Sequence, residues 1–433
     1  MNKPRVITYH GDVETTSYFM SRIEGQLRAD GYEVFPLRYD ARDGSVEEWL
    51  DGAGAGTVFL TFNFAGIYSK DAYRVLPQGE EQYEEQSEER SEEAADMLVD
   101  AYDLQCVNII VDHPYHYHDF LYEQIALRQE RYLQFCIDKG HVVYMERYFP
   151  EIRLGGFLPS GGTALEATGD SGVQADTPPA DTLADTNSWE KRPIDVLFAA
   201  TYVPPDGFSI FIERNGPEYA AFYHSMLDEA LADPEARLED IVRRRLIEEV
   251  EEGVTEEEIR LTLGHIQFLD YYVRYRRRGE VVRRLAEAGI PVTIVGSGWE
   301  HLFEEVPENI TLLPYCDSVQ VLELMTKSKV ALNVLPSFHE GAHDRIFNAM
   351  LCGCVCVTDS NAYLDGILTN GENAMIFETP RDAAGAIKAA LDKDNASAMK
   401  GLAERGRLLA EGHTWEIRAG QLEKAMDEAG IFA

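Results

Sequence analysis

The segment from His339 to Asp359 constrains the fold of this chain more than any other, because its structural preference changes several times within a short stretch. Its sequence, HEGAHDRIFNAMLCGCVCVTD, indicates a strand end, a glycine-containing loop, a short helix and a second strand. Asp344 is a suitable N-cap, residues 346, 349 and 350 have the spacing of one helix face, and Gly353 is a helix stop. The segment therefore predicts a βαβ crossover of a parallel sheet.

The start of the predicted helix has the properties of an anion site. A helix N-terminus presents N–H groups without partners inside the helix and a partial positive charge. Arg345 adds a full charge beside them, and we expect the backbone amides from Gly341 to Arg345 to point outward. A diphosphate suits such a site. An ordinary crossover in which Glu340 is a solvated loop acid is the alternative.

Strands and helices alternate along the rest of the chain, which predicts the α/β class with two Rossmann-like, doubly wound domains. Ligands of such sheets bind beyond the carboxyl ends of the strands, so the residues after each strand are the candidates for chemistry. Strands are predicted at 6–9, 32–36, 58–62, 107–111, 194–199, 291–295 and 310–313, and helices at 18–29, near 94–102, at 237–250 and at 256–275.

The length and composition of the chain predict its division into domains. At 433 residues the chain exceeds what one hydrophobic core usually serves. We predict an N-terminal domain at 1–165, a linker rich in Ala, Thr, Asp, Gly and Pro at 166–192, a C-terminal domain at 193–412, and a C-terminal helix within 413–433 that can cross back to the first domain.

Two stretches do not fit a compact βα unit. The strand 194–199 and the next clear strand, at 291–295, are separated by 91 residues. This excess predicts a helical insertion at about 206–280, which could pack on the core, form a homo-oligomer or contact an acceptor. The acidic stretch 78–93 predicts a solvated loop or exposed helix face, with a disordered excursion as the alternative.

The charge of the chain excludes two classes of partner. Lys and Arg number 39 against 76 Asp and Glu, for a net charge of -37, whereas nucleic acids and anionic membrane surfaces attract basic patches. We find no signal sequence at the start and no apolar run long enough for a membrane span, so the expected compartment is the cytoplasm. The six cysteines fit this expectation, and the alternating Cys352, Cys354 and Cys356 are expected to be buried core residues rather than metal ligands.

The segment with which we began resembles a motif of retaining glycosyltransferases of the GT-B fold. The second domain of these enzymes carries a Glu followed eight positions later by another Glu, in a pattern like SEGFGxPxxEAMACGxPVV. This chain has Glu340 and, at the second position, Asn348, followed by AMLCGCVCV. The residues VALNVLPS at 330–337 and TWE at 414–416 are also similar to that family, and Arg345 is typical of its CgeB-like branch. The resemblance extends from about residue 195 to the C-terminus and is one of pattern only before that.

This resemblance implies two domains that face a cleft, a nucleotide-sugar donor and no requirement for a metal or other cofactor. In the family the second acid accepts hydrogen bonds from the ribose, which Asn348 can do only through an uncharged amide oxygen. Many relatives also place an Arg and a Lys on the diphosphate from the loop after the first strand of the second domain. Residues 200–205 contain neither, and Arg345 could substitute.

The loops after strands of the second domain supply the predicted donor site. Two glycines after the strand 291–295 allow close approach of a ligand to the backbone, although a tight turn is the alternative. Tyr315 follows the strand 310–313, which lies near the nucleotide base in the resembled fold. The predicted donor-binding residues are Gly296, Ser297, Gly298, Tyr315, Gly341, Ala342, His343, Asp344 and Asn348.

In the first domain the loop DHPYHYHD at 112–119 directly follows a strand. Its three histidines do not share one face of a regular helix or strand, which disfavours a metal site. A cleft-facing acid/base cluster and a polar surface turn stay open. The predicted catalytic residues are Glu340, Arg345, Asp112 and His113, and the predicted acceptor-side residues are His10, Gly11, Asp12 and His116.

The predicted function is transfer of a sugar, of the hexosyl type, from a nucleotide-sugar donor to an unknown acceptor that is a protein, a glycan or a small molecule. The resemblance implies retention of the anomeric configuration. Two other classes stay open. A nucleotide-sugar 2-epimerase of the same fold would use the donor site without an acceptor. A non-catalytic nucleotide-sugar-binding protein would fit Asn348 and the missing basic pair.

Overall fold

The computed structural model describes residues 4–38, 50, 52–54, 56–67, 97–165, 189–250, 253–335 and 338–431. The acidic stretch 78–93 and most of the predicted linker, 166–188, lie outside these described residues. Among the helices in the described parts of the chain, none combines the length and the apolar composition that a bilayer span requires.

The first sheet has six parallel strands in the order β2-β1-β3-β4-β5-β6. The strands are β1 (Arg5–His10), β2 (Glu33–Arg38), β3 (Thr57–Phe62), β4 (Gln105–Ile110), β5 (Tyr132–Cys136) and β6 (Leu154–Phe157). The chain reverses its direction of winding between β1 and β3, so the loops after these strands diverge and leave a crevice at the carboxyl edge.

The second sheet is also parallel and six-stranded, in the order β12-β11-β10-β7-β8-β9. The strands are β7 (Ile194–Ala199), β8 (Val292–Val295), β9 (Ile310–Leu313), β10 (Ser328–Leu332), β11 (Val355–Thr358) and β12 (Met375–Ile376). This is the Rossmann order, with the switch of winding between β7 and β10. The predicted α/β class with two doubly wound domains is confirmed.

Helices cover both sheets and fill the long connection between β7 and β8. They are α1 (Glu14–Ala29), α2 (Leu98–Ala101), α3 (Lys139–Tyr148), α4 (Ser209–Glu213), α5 (Pro217–Ala232), α6 (Leu238–Glu249), α7 (Glu256–Leu263), α8 (Gln267–Glu287), α9 (Ser318–Thr326), α10 (Asp344–Leu351), α11 (Pro380–Leu391), α12 (Ala396–Ala410) and α13 (Trp415–Glu428). Short helical turns from Pro114 to Arg131 connect β4 to β5.

The helices between β7 and β8 pack against the first domain. One continuous hydrophobic core contains Met226, Ile241 and Leu263 from α5, α6 and α7 together with Tyr115 and Tyr144 of the N-terminal half. Of the three uses that the sequence left open for the insertion, the structure shows packing on the core. The insertion thus joins the two domains on one side of the cleft.

The last helix joins the domains at a second place. α13 packs along α1, where the buried Trp415 lies with its ring centroid 4.6 Å from that of Phe19 and 5.8 Å from that of Phe62. The backbone of Gly162 bonds both sides of the α13 start, donating to His413 O at 2.7 Å and accepting from Trp415 N at 3.1 Å. The C-terminal helix therefore completes the core of the first domain.

Candidate functional site

A cavity of 410 Å³ lies between the two domains, at the carboxyl edge of the second sheet. Its walls come from the loops after β7, β8 and β9, from the first turns of α9 and α10, from α8, and from α1 of the first domain. It is lined by Glu14, Thr15, Tyr18, Phe19, Ala199, Ala200, Thr201, Arg274, Tyr275, Arg278, Val295, Gly296, Tyr315, Cys316, Ser318, Val321, Leu322, His343, Asp344, Arg345 and Asn348. We call it the first cavity.

Three guanidinium groups converge on the first cavity. Arg274 and Arg278 lie one turn apart on α8, and Arg345 belongs to the first turn of α10. Burial, followed by the charges of Arg345 and Arg274, lowers the pKa of Arg278 well below its ordinary value. Burial also lowers the pKa of Arg345 to about 10, and the charge of Arg274 acts in the same direction. The positive charges of the three arginines therefore repel one another.

The cluster also retains hydrogen-bonding capacity. Arg278 is 7% exposed and donates from Nη1 to the Thr201 carbonyl at 3.1 Å, while its buried Nε has no hydrogen-bond partner. Arg274 donates to the fully buried Asp270 at 3.0 Å, and its Nε also lacks a partner. Buried donors of positive charge favour a bound anion, and a guanidinium fork matches the oxygens of a phosphate.

His343 holds Arg345 in place. Its Nδ1 lies 3.2 Å from Arg345 Nε and accepts from the Arg345 amide at 3.4 Å. Burial, then the Arg345 charge, lowers the pKa of His343 to about 4, so the ring is neutral at pH 7 and can accept these bonds. His343 is thus the N-cap of α10, and the prediction of Asp344 as N-cap was wrong by one residue.

The cap uses one of the amides that we expected to face a ligand, that of Arg345. The Arg345 amide donates to His343 Nδ1 and the Ile346 amide to the His343 carbonyl. Gly341 pairs with Asp138 of the first domain, and Ala342 is fully buried in the core. This helix start consequently presents the Arg345 side chain to the first cavity, while the Arg345 amide is used by the cap.

Asn348 lines the first cavity and joins the domains. Its Oδ1 accepts from the Thr163 amide at 2.7 Å, and its Nδ2 donates to Asp344 Oδ2 at 2.9 Å. An Asp or Glu could not make the second bond, because a carboxylate has no N–H to donate. Asn348 therefore suits the carboxylate of Asp344 beside it.

A second cavity of 480 Å³ continues the first into the N-terminal domain. The two cavities share Thr15, Phe19, Arg274, Arg278, His343 and Asp344. Beyond the shared wall, the second cavity is lined by the loops after β1, β3 and β4, including Gly11, Asp12, Asn63 and Asp112. Asp112 Oδ2 accepts from Asn63 Nδ2 at 3.1 Å and from Tyr117 Oη at 3.2 Å, which fixes its carboxylate at the cavity.

The residues predicted from the loops after β8 and β9 divide between the lining of the first cavity and positions outside it. Gly296 and Tyr315 line the first cavity, but Ser297 and Gly298 do not. Gly298 has φ +85° and begins the turn Trp299–His301, where its missing Cβ allows contact with the Tyr202 carbonyl. The turn therefore requires a glycine at position 298.

Glu340 lies at a junction of three parts of the chain. Its carboxylate accepts from Arg237 Nη2 at 2.6 Å, and its amide donates to Asp138 Oδ2 at 2.8 Å. Arg237 belongs to the insertion and Asp138 to the first domain. Glu340 is absent from the linings of the first and second cavities.

The predicted histidines also have internal partners. His113 is buried, caps the turn Pro114–Tyr117 and has Nε2 at 3.5 Å from Glu239 of the insertion. His116 Nε2 lies 3.0 Å from Asp270 Oδ2, and His10 Nε2 lies 2.6 Å from Glu24 Oε1. Neither cavity is lined by these three histidines, and the catalytic role of His113 stays a prediction.

Sequence reasoning missed Glu14, Arg274, Arg278 and Ser318 as residues of the site. The spacing of Asp270, Arg274 and Arg278 at i, i+4 and i+8 was the available signal, because it places one acid and two bases on one helix face. Which face turns to the cleft depends on packing between distant parts of the chain.

Among the described residues, no group of three His, Cys, Asp or Glu side chains is arranged to hold a metal ion. Cys352, Cys354 and Cys356 are buried in the core beneath α10 and β11.

Comparison with known proteins assigns the fold. Residues 276–424 match the profile of a family described as glycosyl transferase-like. No curated protein sequence matches the chain. Among solved structures, sucrose-phosphate synthase from Thermosynechococcus elongatus is 12% identical with a TM-score of 0.53, and the match covers 99% of this chain and 100% of that one.

Two further structures are similar at lower scores. HepE from Anabaena, in complex with UDP and glucose, is 10% identical with a TM-score of 0.49 over 98% of this chain and 100% of that one. AviGT4, a glycosyltransferase involved in avilamycin A biosynthesis, is 10% identical with a TM-score of 0.47 over 99% and 98% of the two chains. The chain has the GT-B fold of glycosyltransferases, and its C-terminal region carries a glycosyl transferase-like sequence.

Proposed function

We propose that this protein transfers a sugar from a nucleotide-diphosphate sugar to an acceptor, with retention of configuration and without a metal. The observation that carries the proposal is the cluster of Arg274, Arg278 and Arg345 around a cavity between the domains. The GT-B fold and the glycosyl transferase-like profile of residues 276–424 support the same reaction class.

In this proposal the three arginines bind the diphosphate. They take the place of the basic pair that residues 200–205 lack, and two of them come from α8, at the end of the insertion. The nucleoside then extends along the first cavity past Asn348, whose amide oxygen would accept from a ribose hydroxyl in addition to the Thr163 amide. The sugar projects into the second cavity, towards the post-strand loops of the first domain.

The bond from the anomeric carbon to the diphosphate oxygen breaks as the bond to the acceptor oxygen forms. The acceptor approaches from the face that the diphosphate leaves, and its proton passes to a leaving phosphate oxygen. The protein then mainly positions the two substrates and neutralises the developing charge of the diphosphate. Asp112 would orient the acceptor hydroxyl from the wall of the second cavity.

The proposal keeps Glu340 as a ligand of the sugar hydroxyls. Because Arg237 holds its carboxylate, the sugar would have to replace or share that guanidinium when it binds. The family motif supports this role for Glu340, whereas the cavity linings support the arginines.

Binding of nucleoside diphosphates to an Arg278→Met variant tests the proposal. Met keeps much of the apolar volume of the side chain but removes its charge. We expect the affinity for the preferred diphosphate to fall about tenfold to a hundredfold, because hydrogen bonds to charged groups contribute about 1.5–3 kcal/mol. The Tm without ligand should stay the same or rise, since the mutual repulsion of the arginines is relieved. Isothermal titration calorimetry and thermal-shift assays measure the two effects.

Arg276→Met is the matched control. Arg276 lies on the same helix but is exposed and lines a separate cavity of 600 Å³. It should bind nucleoside diphosphates as the unchanged protein does. Absence of binding by the unchanged protein to any of UDP, GDP, dTDP, ADP and CDP would contradict the proposed function, and equal losses in both variants would contradict the assignment of Arg278.

A further inference from the structure

Glu14 of the first domain reaches across the first cavity to the second domain. Its Oε1 accepts from the Ser318 amide at 3.1 Å and its Oε2 from the Ser318 hydroxyl at 2.8 Å. Glu14 begins α1 and Ser318 begins α9, so the contact joins the N-terminal ends of two helices from different domains. Both residues line the first cavity.

The position of this pair identifies the part of the ligand that it meets. The three arginines place the diphosphate at one part of the first cavity, beside α8 and the start of α10. Another part, between α1 and α9, is lined by Glu14, Tyr18, Tyr315, Ser318 and Leu322. Tyr315 is 69% exposed and Leu322 is buried, which supplies aromatic and apolar surface for a flat ring. A nucleoside diphosphate anchored at the arginines would place its base here.

We infer that Glu14 selects guanine as the base of the nucleotide, so that the sugar donor is a guanosine diphosphate sugar. This inference rests on the proposed function.

The hydrogen-bonding pattern of the bases carries the choice. An ionised carboxylate only accepts hydrogen bonds, and its two oxygens offer about four lone-pair positions in one plane. Guanine presents two adjacent donors, N1–H and N2–H, which match two such oxygens. Uracil has one N–H between two carbonyls, and the donor groups of adenine and cytosine adjoin ring nitrogens that accept. Guanine is therefore the base whose edge a carboxylate complements twice.

The contact with Ser318 prepares the carboxylate for this role. Ser318 meets the two oxygens with two adjacent donors and fixes the plane of the group. The guanine edge has the same pair of adjacent donors and would take the place of Ser318 on the carboxylate. The other acid that lines the first cavity, Asp344, is bound by Asn348 and lies 2.7 Å from the His343 ring. Glu14 is thus the carboxylate of this lining whose two oxygens are presented together to a pair of adjacent donors.

The test compares the affinities of GDP, IDP, UDP, ADP and CDP for the unchanged protein by calorimetry. Inosine lacks the N2 amino group but otherwise keeps the guanine ring, so it removes one of the two proposed bonds without a protein variant. We expect GDP to bind most tightly and IDP about tenfold more weakly. Glu14→Gln should abolish the difference between GDP and IDP, because the amide presents one acceptor and one donor. Its Tm should change little, since Gln can still accept a bond from Ser318.

Asp317→Asn is the control for charge. Asp317 adjoins Ser318 and caps α9, where Asn is an equally good N-cap, but it is outside the lining of the first cavity. This variant should retain the preference for GDP. Equal binding of GDP and IDP, or tighter binding of another diphosphate, would overturn the inference while leaving the proposed function intact. Failure of every diphosphate to bind would overturn both.

Discussion

Charged residues in this protein occur in two different electrostatic settings. Arg237 and Glu340 form an ion pair in which the side chains are 27% and 30% exposed. Arg278, in contrast, is buried beside two other guanidinium groups, and its Nε has no partner. The first setting is typical of a structural contact, and the second is typical of a ligand site. Experiments should therefore measure separately how Glu340, Arg237 and Arg278 affect stability and ligand binding.

Glu340 belongs to the structural setting by its contacts and to the ligand site by its motif. We expect Glu340→Ala to lower the rate of sugar transfer about a hundredfold or more, the size of effect seen when a preorganised polar contact is removed. The Tm should fall little, because a partly exposed ion pair contributes at most about 1 kcal/mol. Arg237→Ala breaks the same ion pair but keeps the carboxylate, so it should retain transfer. A Glu340→Ala protein with full transfer activity would leave Glu340 as a contact between domains only.

Residues of the site were predictable where local sequence fixes them. Gly353 has φ +69°, and its place after the apolar helix face was enough to predict the helix stop. Arg345 and Asn348 were found because they belong to one short motif. Glu14, Arg274 and Arg278 were not found, because the first lies in another domain and the arginines belong to a run, RYRRR, that is also typical of a solvated helix face.

At the scale of single elements, α8 has two functions. One face packs in the core of the second domain, and its first turns extend beyond the sheet towards the loop after β4. Asp270 is fully buried between these parts and bonds both Arg274 and His116. The helix therefore couples the position of an arginine of the site to the contact between the domains.

The variant Asp270→Asn tests this coupling. It keeps the shape of the side chain but removes the charge that, against the effect of burial, raises the pKa of Arg274. We expect a loss of about 3 kcal/mol in the free energy of unfolding, because an uncompensated buried charge is costly. Nucleoside diphosphate should also bind about tenfold more weakly, because Arg274 loses its orientation. Both are measured by chemical denaturation and calorimetry.

Gln267→Ala is the control for Asp270→Asn. Gln267 Nε2 donates to the His116 carbonyl at 2.9 Å and is absent from the lining of the first cavity. This variant should lose stability but keep its affinity for nucleotide. If Asp270→Asn also keeps its affinity, then Asp270 has only a structural role.

The elements themselves were largely predictable. The strands at 194–199 and 310–313 have the expected bounds, since short apolar runs between polar residues leave little choice. The helix expected at 256–275 is instead two helices, α7 and α8, separated near Gly264. At Gly264 the backbone lies against the His118 ring, where a Cβ would clash. That contact joins residues far apart in sequence and leaves no local signal.

At the scale of the whole molecule, the two domains are stabilised as one body. The insertion shares a core with the first domain, and α13 covers one face of the first sheet through Trp415. Polar contacts add to these cores, including Arg22 with Glu416 at 2.7 Å and Asn348 with Thr163. A change in one domain should therefore affect the unfolding of the other.

Trp415→Ala tests the shared stability. We expect it to lower the free energy of unfolding by about 3–5 kcal/mol, because it removes a fully buried ring that packs against Phe19 and Phe62. Both domains should unfold in one calorimetric transition at a lower Tm. The exposed Ile417 of the same helix gives the control, since Ile417→Ala should leave the Tm nearly unchanged. Two separate transitions, of which only one moves, would show that the domains unfold independently.

The place of α13 in the chain has a consequence for biosynthesis. The ribosome releases the strands of the first sheet long before it synthesises Trp415. The apolar face around Phe19 and Phe62 therefore stays uncovered until residue 415 has been translated. During that interval the nascent first domain exposes this apolar surface to solvent. Intermediates of this kind are bound by chaperones and are prone to aggregate.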